Sequence, residues 1–271
     1  MNIIIHRGTH QIGGSAIEIS TASTRIILDF GNELSLDEKY TPINLDIDGV
    51  TKGLPDCDGI VISHYHMDHL GQLTSALPEI PLYMGELSKE VAMIATEHQD
   101  KDLYLRLLDA NTFRGGEAFT IGNIHIRPLV IDHSAVDSYM FVIEAEGKRV
   151  LYTGDFRMHG LRSHVVEKLV NTYIGEVDVL ITEGTSLSRD ADKYVSETAV
   201  LDDISSYIQD GKYVFVMCSS TNIDRIMGIW HNMPTDKVLI CDAYQKRILD
   251  TVINNVYYES SLYRRHDSPL V

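Results

Sequence analysis

The stretch Ser63-His64-Tyr65-His66-Met67-Asp68-His69 decides how the rest of the chain is read. It follows the apolar run Gly59-Ile60-Val61-Ile62 and precedes Leu70-Gly71-Gln72-Leu73. Three imidazoles and a carboxylate fall in the pattern His64-x-His66-x-Asp68-His69. Imidazole nitrogen and carboxylate oxygen are both good ligands for zinc. A packed core has no use for so many polar groups at a strand end, because each must find a partner. The cluster therefore reads as a metal-binding loop fed by a buried strand.

Composition bounds what can be built around it. The chain has 271 residues, 44% apolar and 23% charged, the profile of a soluble globular protein with a sizeable core. No apolar run approaches the ~20 residues needed to span a bilayer. Met1-Asn2-Ile3-Ile4-Ile5-His6 enters a strand-like run directly, with no basic leader, so the sequence points to no signal peptide and a cytoplasmic location. Cys57, Cys218 and Cys241 lie far apart with no CxxC spacing, which excludes a disulfide scaffold and a cysteine-based zinc site. The net charge of −16 repels phosphate backbones and by itself disfavours a nucleic-acid binder.

Outward from the cluster, early strands are expected over 1–6, 16–20 and 25–28, joined as hairpins. Residues 32–58, with Pro42, Pro55, Gly49 and Gly53, read as a long loop that shapes a site. The buried strand 59–62 leads through the cluster into a helix expected over 68–76. A short strand at 81–84 precedes helical periodicity over 86–109, in two pieces. Further strands are expected over 117–121, 124–131, 139–145 and 150–153, a helix over 163–169, and a buried strand over 177–181. Strands followed by helices in both 1–115 and 116–183 fit two sheets packed back to back with helices outside. From about residue 195, helices over 197–209, 222–230 and 243–252 alternate with strands expected over 213–217 and 237–241, a parallel-sheet rhythm. A domain boundary is placed between 188 and 189, giving units 1–188 and 189–271.

Three other polar loops sit at strand ends. Asp29 follows Ile26-Ile27-Leu28, Asp132-His133-Ser134 follows the run 128–131, and Gly154-Asp155-Phe156 follows Val150-Leu151-Tyr152-Thr153. The set His64-x-His66-x-Asp68-His69, with Asp29 upstream and His133 and Asp155 downstream, resembles the metallo-β-lactamase superfamily of di-metal hydrolases, over residues 1–183 in order. The resemblance implies an α/β fold, the αββα sandwich. It implies two divalent metal ions, zinc or else manganese. His64, His66 and His133 would hold one, Asp68 and His69 the second, with Asp155 shared and Asp29 orienting the ligands from beneath. Asp68 is also carried over as a catalytic carboxylate. Val179-Leu180-Ile181-Thr182-Glu183-Gly184-Thr185 and the run 216–226 resemble the β-CASP subfamily, which includes RNase J-type ribonucleases and 3′-end cleavage endonucleases. Glu183 matches that subfamily's first extra motif and is a candidate catalytic residue. Residues 189–271 would begin its parallel α/β insertion. That subfamily completes its second metal site with a histidine from a returning segment. Neither His231 nor His266 matches that context, so the resemblance implies an N-terminal portion with an incomplete second site.

The expected activity is metal-dependent hydrolysis of a phosphodiester, with RNA or single-stranded nucleic acid as substrate and a metal-activated water as nucleophile. Hydrolysis of a small ester, thioester or lactone by the same site is the alternative, which the negative charge favours. A non-catalytic relative that binds a partner is a third, and a homo-oligomer fits the sequence equally. His6, His10, His98, His125, His159 and His164 are scattered and read as surface or core residues. No P-loop, GxSxG elbow or dinucleotide fingerprint occurs.

Overall fold

The computed structural model describes residues 1–34, 43–187 and 194–255. Part of the long loop and the expected unit boundary at 188/189 lie outside the described residues.

Two sheets form the frame. The first joins β1 (Asn2–Arg7), β2 (Ala16–Ser20), β3 (Arg25–Leu28), β4 (Gly59–Ile62), β5 (Leu82–Gly85) and β6 (Asn111–Phe113) in sequence order. The first three strands are antiparallel hairpins, and β3 to β6 run parallel. The second sheet contains β7 (Phe119–Ile121), β8 (Ile124–Val130), β9 (Tyr139–Ala145), β10 (Lys148–Tyr152) and β11 (Val179–Ile181), in the order β11-β10-β9-β8-β7.

Strand alternation sets the layers, since successive side chains point to opposite faces. Ile26, Leu28 and Val61 face Phe141, Ile143, Val150 and Tyr152 across the interface between the sheets. Their neighbours Ile27, Ile60 and Ile62 face the other way, onto a helical layer with Leu70, Leu87, Val91 and Leu103. On the far side of the second sheet, Met140, Val142 and Leu151 pack on Val166 and Leu169. Each such buried side chain contributes roughly 1.5–3 kcal/mol, so strands that are apolar on both faces need both layers. The helices supplying them are α2 (Glu86–Thr96) and α3 (Lys101–Leu108) outside the first sheet, and α4 (Ser163–Leu169) outside the second. The result is the expected αββα sandwich.

The helix expected over 68–76 is shorter. It spans only α1 (Met67–Leu70), and a separate 3₁₀ turn covers Leu73–Ser75. Loop 30–32 takes over the backbone groups that would extend it. Phe30 N–H donates to His69 O at 2.6 Å, Asn32 N–H to Met67 O at 2.9 Å, and Gln72 N–H donates to Phe30 O at 2.9 Å. Gly31 permits this approach: a Cβ there would stand 1.6 Å from Asp68 O. The strand expected to be buried over 177–181 is instead β11, an edge strand with Leu180 56% exposed. Among the described residues it has a hydrogen-bonded neighbour, β10, on one side only.

The chain continues into α5 (Glu197–Asp210), α6 (Ile223–Asn232) and α7 (Ala243–Asn254), close to the helices expected. Their apolar faces, with Leu201, Ile226, Trp230 and Leu249, join the same core as the first helical layer. The strands expected over 213–217 and 237–241 do not form among the described residues. β-structure consists of ladders between neighbours; among the described residues 213–217 has none, with Phe215 and Met217 wholly exposed, and 237–241 shows a lone bridge at Leu239. None of the described helices is long and apolar enough to cross a membrane.

Candidate metal centre

Four strand ends meet at one place. β3 delivers Asp29, β4 delivers Ser63 to His69, the loop after β8 delivers His133, and the loop after β10 delivers Asp155. Asp29 N–H donates to Val61 O at 2.9 Å, continuing the β3–β4 ladder, and Tyr139 N–H donates to Ser63 O at 3.0 Å, which joins the two sheets. Gly154, at φ +55°, lets the β10 loop pass close to Ser63, where a Cβ would sit 3.0 Å from both Ser63 Cβ and Tyr139 O.

Asp29 is the fixed point. It is wholly buried and lies at φ +55°, a conformation Asp tolerates better than most residues. Its carboxylate accepts Ser63 N–H at 2.7 Å, Ser63 Oγ–H at 2.8 Å, His69 Nδ1–H at 2.7 Å and the Tyr152 hydroxyl. With its hydroxyl proton committed to Asp29, Ser63 Oγ accepts from His64 Nδ1 at 3.0 Å. Both hydrogen bonds leave Nε2 of His64 and of His69 as the outward-facing atoms.

Those atoms converge with others. His64 Nε2 and His133 Nε2 each lie 3.1 Å from His66 Nδ1. His64, His66 and His133 form one group able to hold a metal ion, and His64, His69 and Asp155 form another. His69 Nε2 is 3.2 Å from Asp155 Oδ1 and 3.7 Å from Asp68 Oδ2. Burial, reinforced by neighbouring imidazoles, holds His64 far below the usual histidine range. Burial likewise lowers His66 to about 4 and His133 to about 3. These three rings are neutral near pH 7 and carry free lone pairs, the state a cation requires. Burial opposes charge on His69 too, but Asp29 and Asp155 on its two nitrogens outweigh it and hold its proton more tightly than usual. Burial raises the Asp155 carboxyl, yet the hydrogen bond from His69 brings it below the ordinary value. Burial pushes Asp68 up. Six nitrogen and oxygen donors thus face one cleft, three of them neutral imidazoles, a donor set that fits divalent zinc or manganese.

Glu183 stands apart from both groups. Its Oε1 accepts Phe156 N–H at 2.9 Å and so holds the residue after Asp155. Ser63, Tyr152 and Arg157 were not singled out from sequence. Ser63 leads the cluster and carried a signal by position; Tyr152 looked like one more strand residue. Arg157 Nε donates to Asp132 Oδ1 at 3.3 Å, and its backbone N–H donates to Asp132 O at 2.8 Å, tying the β10 loop to the β8 loop.

The chain is similar to several known proteins. Endoribonuclease YSH1 of Gibberella zeae is 25% identical over 281 residues, covering 95% of this chain and 32% of that protein. The RNase J-like protein of Methanocaldococcus jannaschii is 26% identical over 223 residues, covering 78% of this chain and 49% of that protein. Ribonuclease J of Helicobacter pylori is 25% identical over 168 residues, covering 56% and 22%. This chain therefore spans less than half the length of these curated relatives. A crystal structure of a protein of unknown function from Enterococcus faecalis shares the fold, with a TM-score of 0.77 and 20% identity over 91% of this chain and 66% of that one. The profile of the β-lactamase superfamily domain matches residues 24–242. With its two-sheet sandwich and strand-end histidines, the chain belongs to the metallo-β-lactamase superfamily, alongside the RNase J-type and β-CASP proteins.

Proposed function

We propose that the chain is the metal-binding portion of a phosphodiesterase that cleaves RNA or single-stranded nucleic acid. The observation that carries this reading is the convergence of two donor groups, His64-His66-His133 and His64-His69-Asp155, in one cleft. The names of the relatives, three of them ribonucleases or endoribonucleases, supply the substrate class. In this reading His64, His66 and His133 hold one divalent ion, and His69, Asp155 and Asp68 hold a second. When bound, such ions would supply Lewis acidity toward a phosphoryl oxygen and an activated water. Asp29 fixes the ring of His69, and Ser63 that of His64. Asp68, 3.7 Å from His69 Nε2, is carried as the candidate catalytic carboxylate that the family resemblance implies. Glu183 keeps the loop of Asp155 in place through Phe156 N–H.

Zinc or manganese added to the full chain with a single-stranded RNA oligonucleotide tests this directly. Cleavage is expected, and its loss in both His66→Ala and Asp68→Ala. Cleavage that persists in both variants sinks the assignment. The net charge of −16 favours a second reading, a small-ester or thioester hydrolase. A panel of ester substrates beside the oligonucleotide separates the two: turnover of esters with intact RNA selects the second.

A further inference from the structure

A second feature opens along the loop that follows Asp155. A cavity of about 420 Å³ is lined by Phe156, Arg157, His159, Glu183, Leu187 and Tyr194, among others. It begins one residue after Asp155, so its wall is continuous with the loop that carries that carboxylate. The walls are largely aromatic and apolar, and they face outward: Tyr194 is 39% and Leu187 is 90% exposed. The rings of His159 and Tyr194 lie 5.2 Å apart at 30°, a stacked pair on the rim. The backbone beneath this pair is held, because Glu197 N–H donates to His159 O at 2.8 Å. Arg157 also lines the cavity, its guanidinium held between Asp132 at 3.3 Å and Glu197 at 3.7 Å.

A stacked aromatic pair, one ring half-buried and the other exposed, at an apolar cavity suits a flat, neutral ring. A base carries no charge, so the negative charge of the chain does not oppose it, whereas a second phosphate pocket would meet Glu183. We propose that this cavity binds a nucleobase, that of the nucleotide next to the phosphodiester held at the metal centre, with Tyr194 and His159 as its stacking surface. The proposal rests on the phosphodiesterase reading for its substrate class. It adds where the chain grips the substrate and predicts a base-dependent contribution to binding.

The test compares adenosine 5′-monophosphate with ribose 5-phosphate, its counterpart without the base, by calorimetric titration of the zinc-loaded full chain. The base is expected to tighten binding by about 10-fold, within the range of a base–aromatic stack. Tyr194→Ala is expected to erase most of that difference, and Tyr194→Phe to keep it. His159→Ala provides a second, independent variant. Equal affinity of the wild type for the two ligands overturns the proposal. So does a base preference that survives in both Tyr194→Ala and His159→Ala. No bond is cut in this measurement, so its outcome is independent of the cleavage assay: intact RNA defeats the phosphodiesterase reading, and a missing base preference defeats the cavity assignment alone.

Discussion

At the scale of single residues, the centre depends on a carboxylate that sits behind the converging donor atoms. Asp29 takes four donors, from Ser63, His69 and Tyr152, and through them fixes which nitrogen each ring presents. Replacing Asp29 with Ala leaves the Ser63 and Tyr152 hydroxyls without their acceptor and frees the His69 ring to turn. Loss of such a supporting hydrogen bond lowers metal affinity by roughly 10–100-fold. A competition titration with a chromophoric chelator is expected to show that fall for zinc. Undiminished affinity would mean that the ring of His69 is held by something else.

At the scale of elements, the helices after residue 194 grip the loops of the centre. Tyr65 O–H donates to Thr221 O and accepts Val136 N–H, both at 2.9 Å. Glu197, almost fully buried in the first turn of α5, accepts Arg225 Nε on Oε1 at 2.6 Å and Arg225 Nη2 on Oε2 at 2.9 Å, and Oε2 also lies 3.7 Å from Arg157 Nη1. Arg157 in turn holds Asp132, the neighbour of His133. Glu197→Ala strips Arg225 of its carboxylate partner in a largely dry site and leaves Arg157 with Asp132 alone. Breaking one side of a buried pair costs about 3–5 kcal/mol, and the partial exposure of Arg225 places this one at about 3 kcal/mol. Urea denaturation is expected to show that loss. The exposed pair of Glu97 with Arg247, joining α2 to α7, is the control, with no measurable change expected from Glu97→Ala.

For the whole molecule, donors from both sheets meet at one centre, so a bound ion ties the two halves of the sandwich together. An ion that binds only the folded chain stabilises it by mass action, by about 2.7 kcal/mol at one hundred times its dissociation constant. Thermal unfolding with excess zinc is therefore expected at a higher Tm than with chelator. In His64→Ala, which removes the residue common to both donor groups, the gap is expected to shrink. A wild-type Tm indifferent to zinc and chelator would argue against metal binding in the folded state.

Much of this was legible in the chain itself, and the reason is local. Strand alternation at 25–28, 59–62 and 139–145 encodes two apolar faces, and two apolar faces require a layer on each side. The density of His64 to His69 announces a ligand loop within six residues, because no core tolerates those groups without partners. Other features depend on neighbours far away in sequence. The helix after His66 stops at Leu70 because loop 30–32 claims its backbone. The run 213–217 is strand-like in composition but forms no ladder among the described residues, since pairing belongs to two segments and not to one. The pairing of Glu197 with Arg157 and Arg225, and the stacking of His159 on Tyr194, join residues 28 to 40 positions apart, and nothing in their local sequence marks them. Sequence by itself determined the layers and the donor types, because both follow from short-range pattern. Tertiary structure alone decided which donors meet, which ring nitrogens face the cleft and where a cavity opens along the loop after Asp155, because those depend on how separate loops pack.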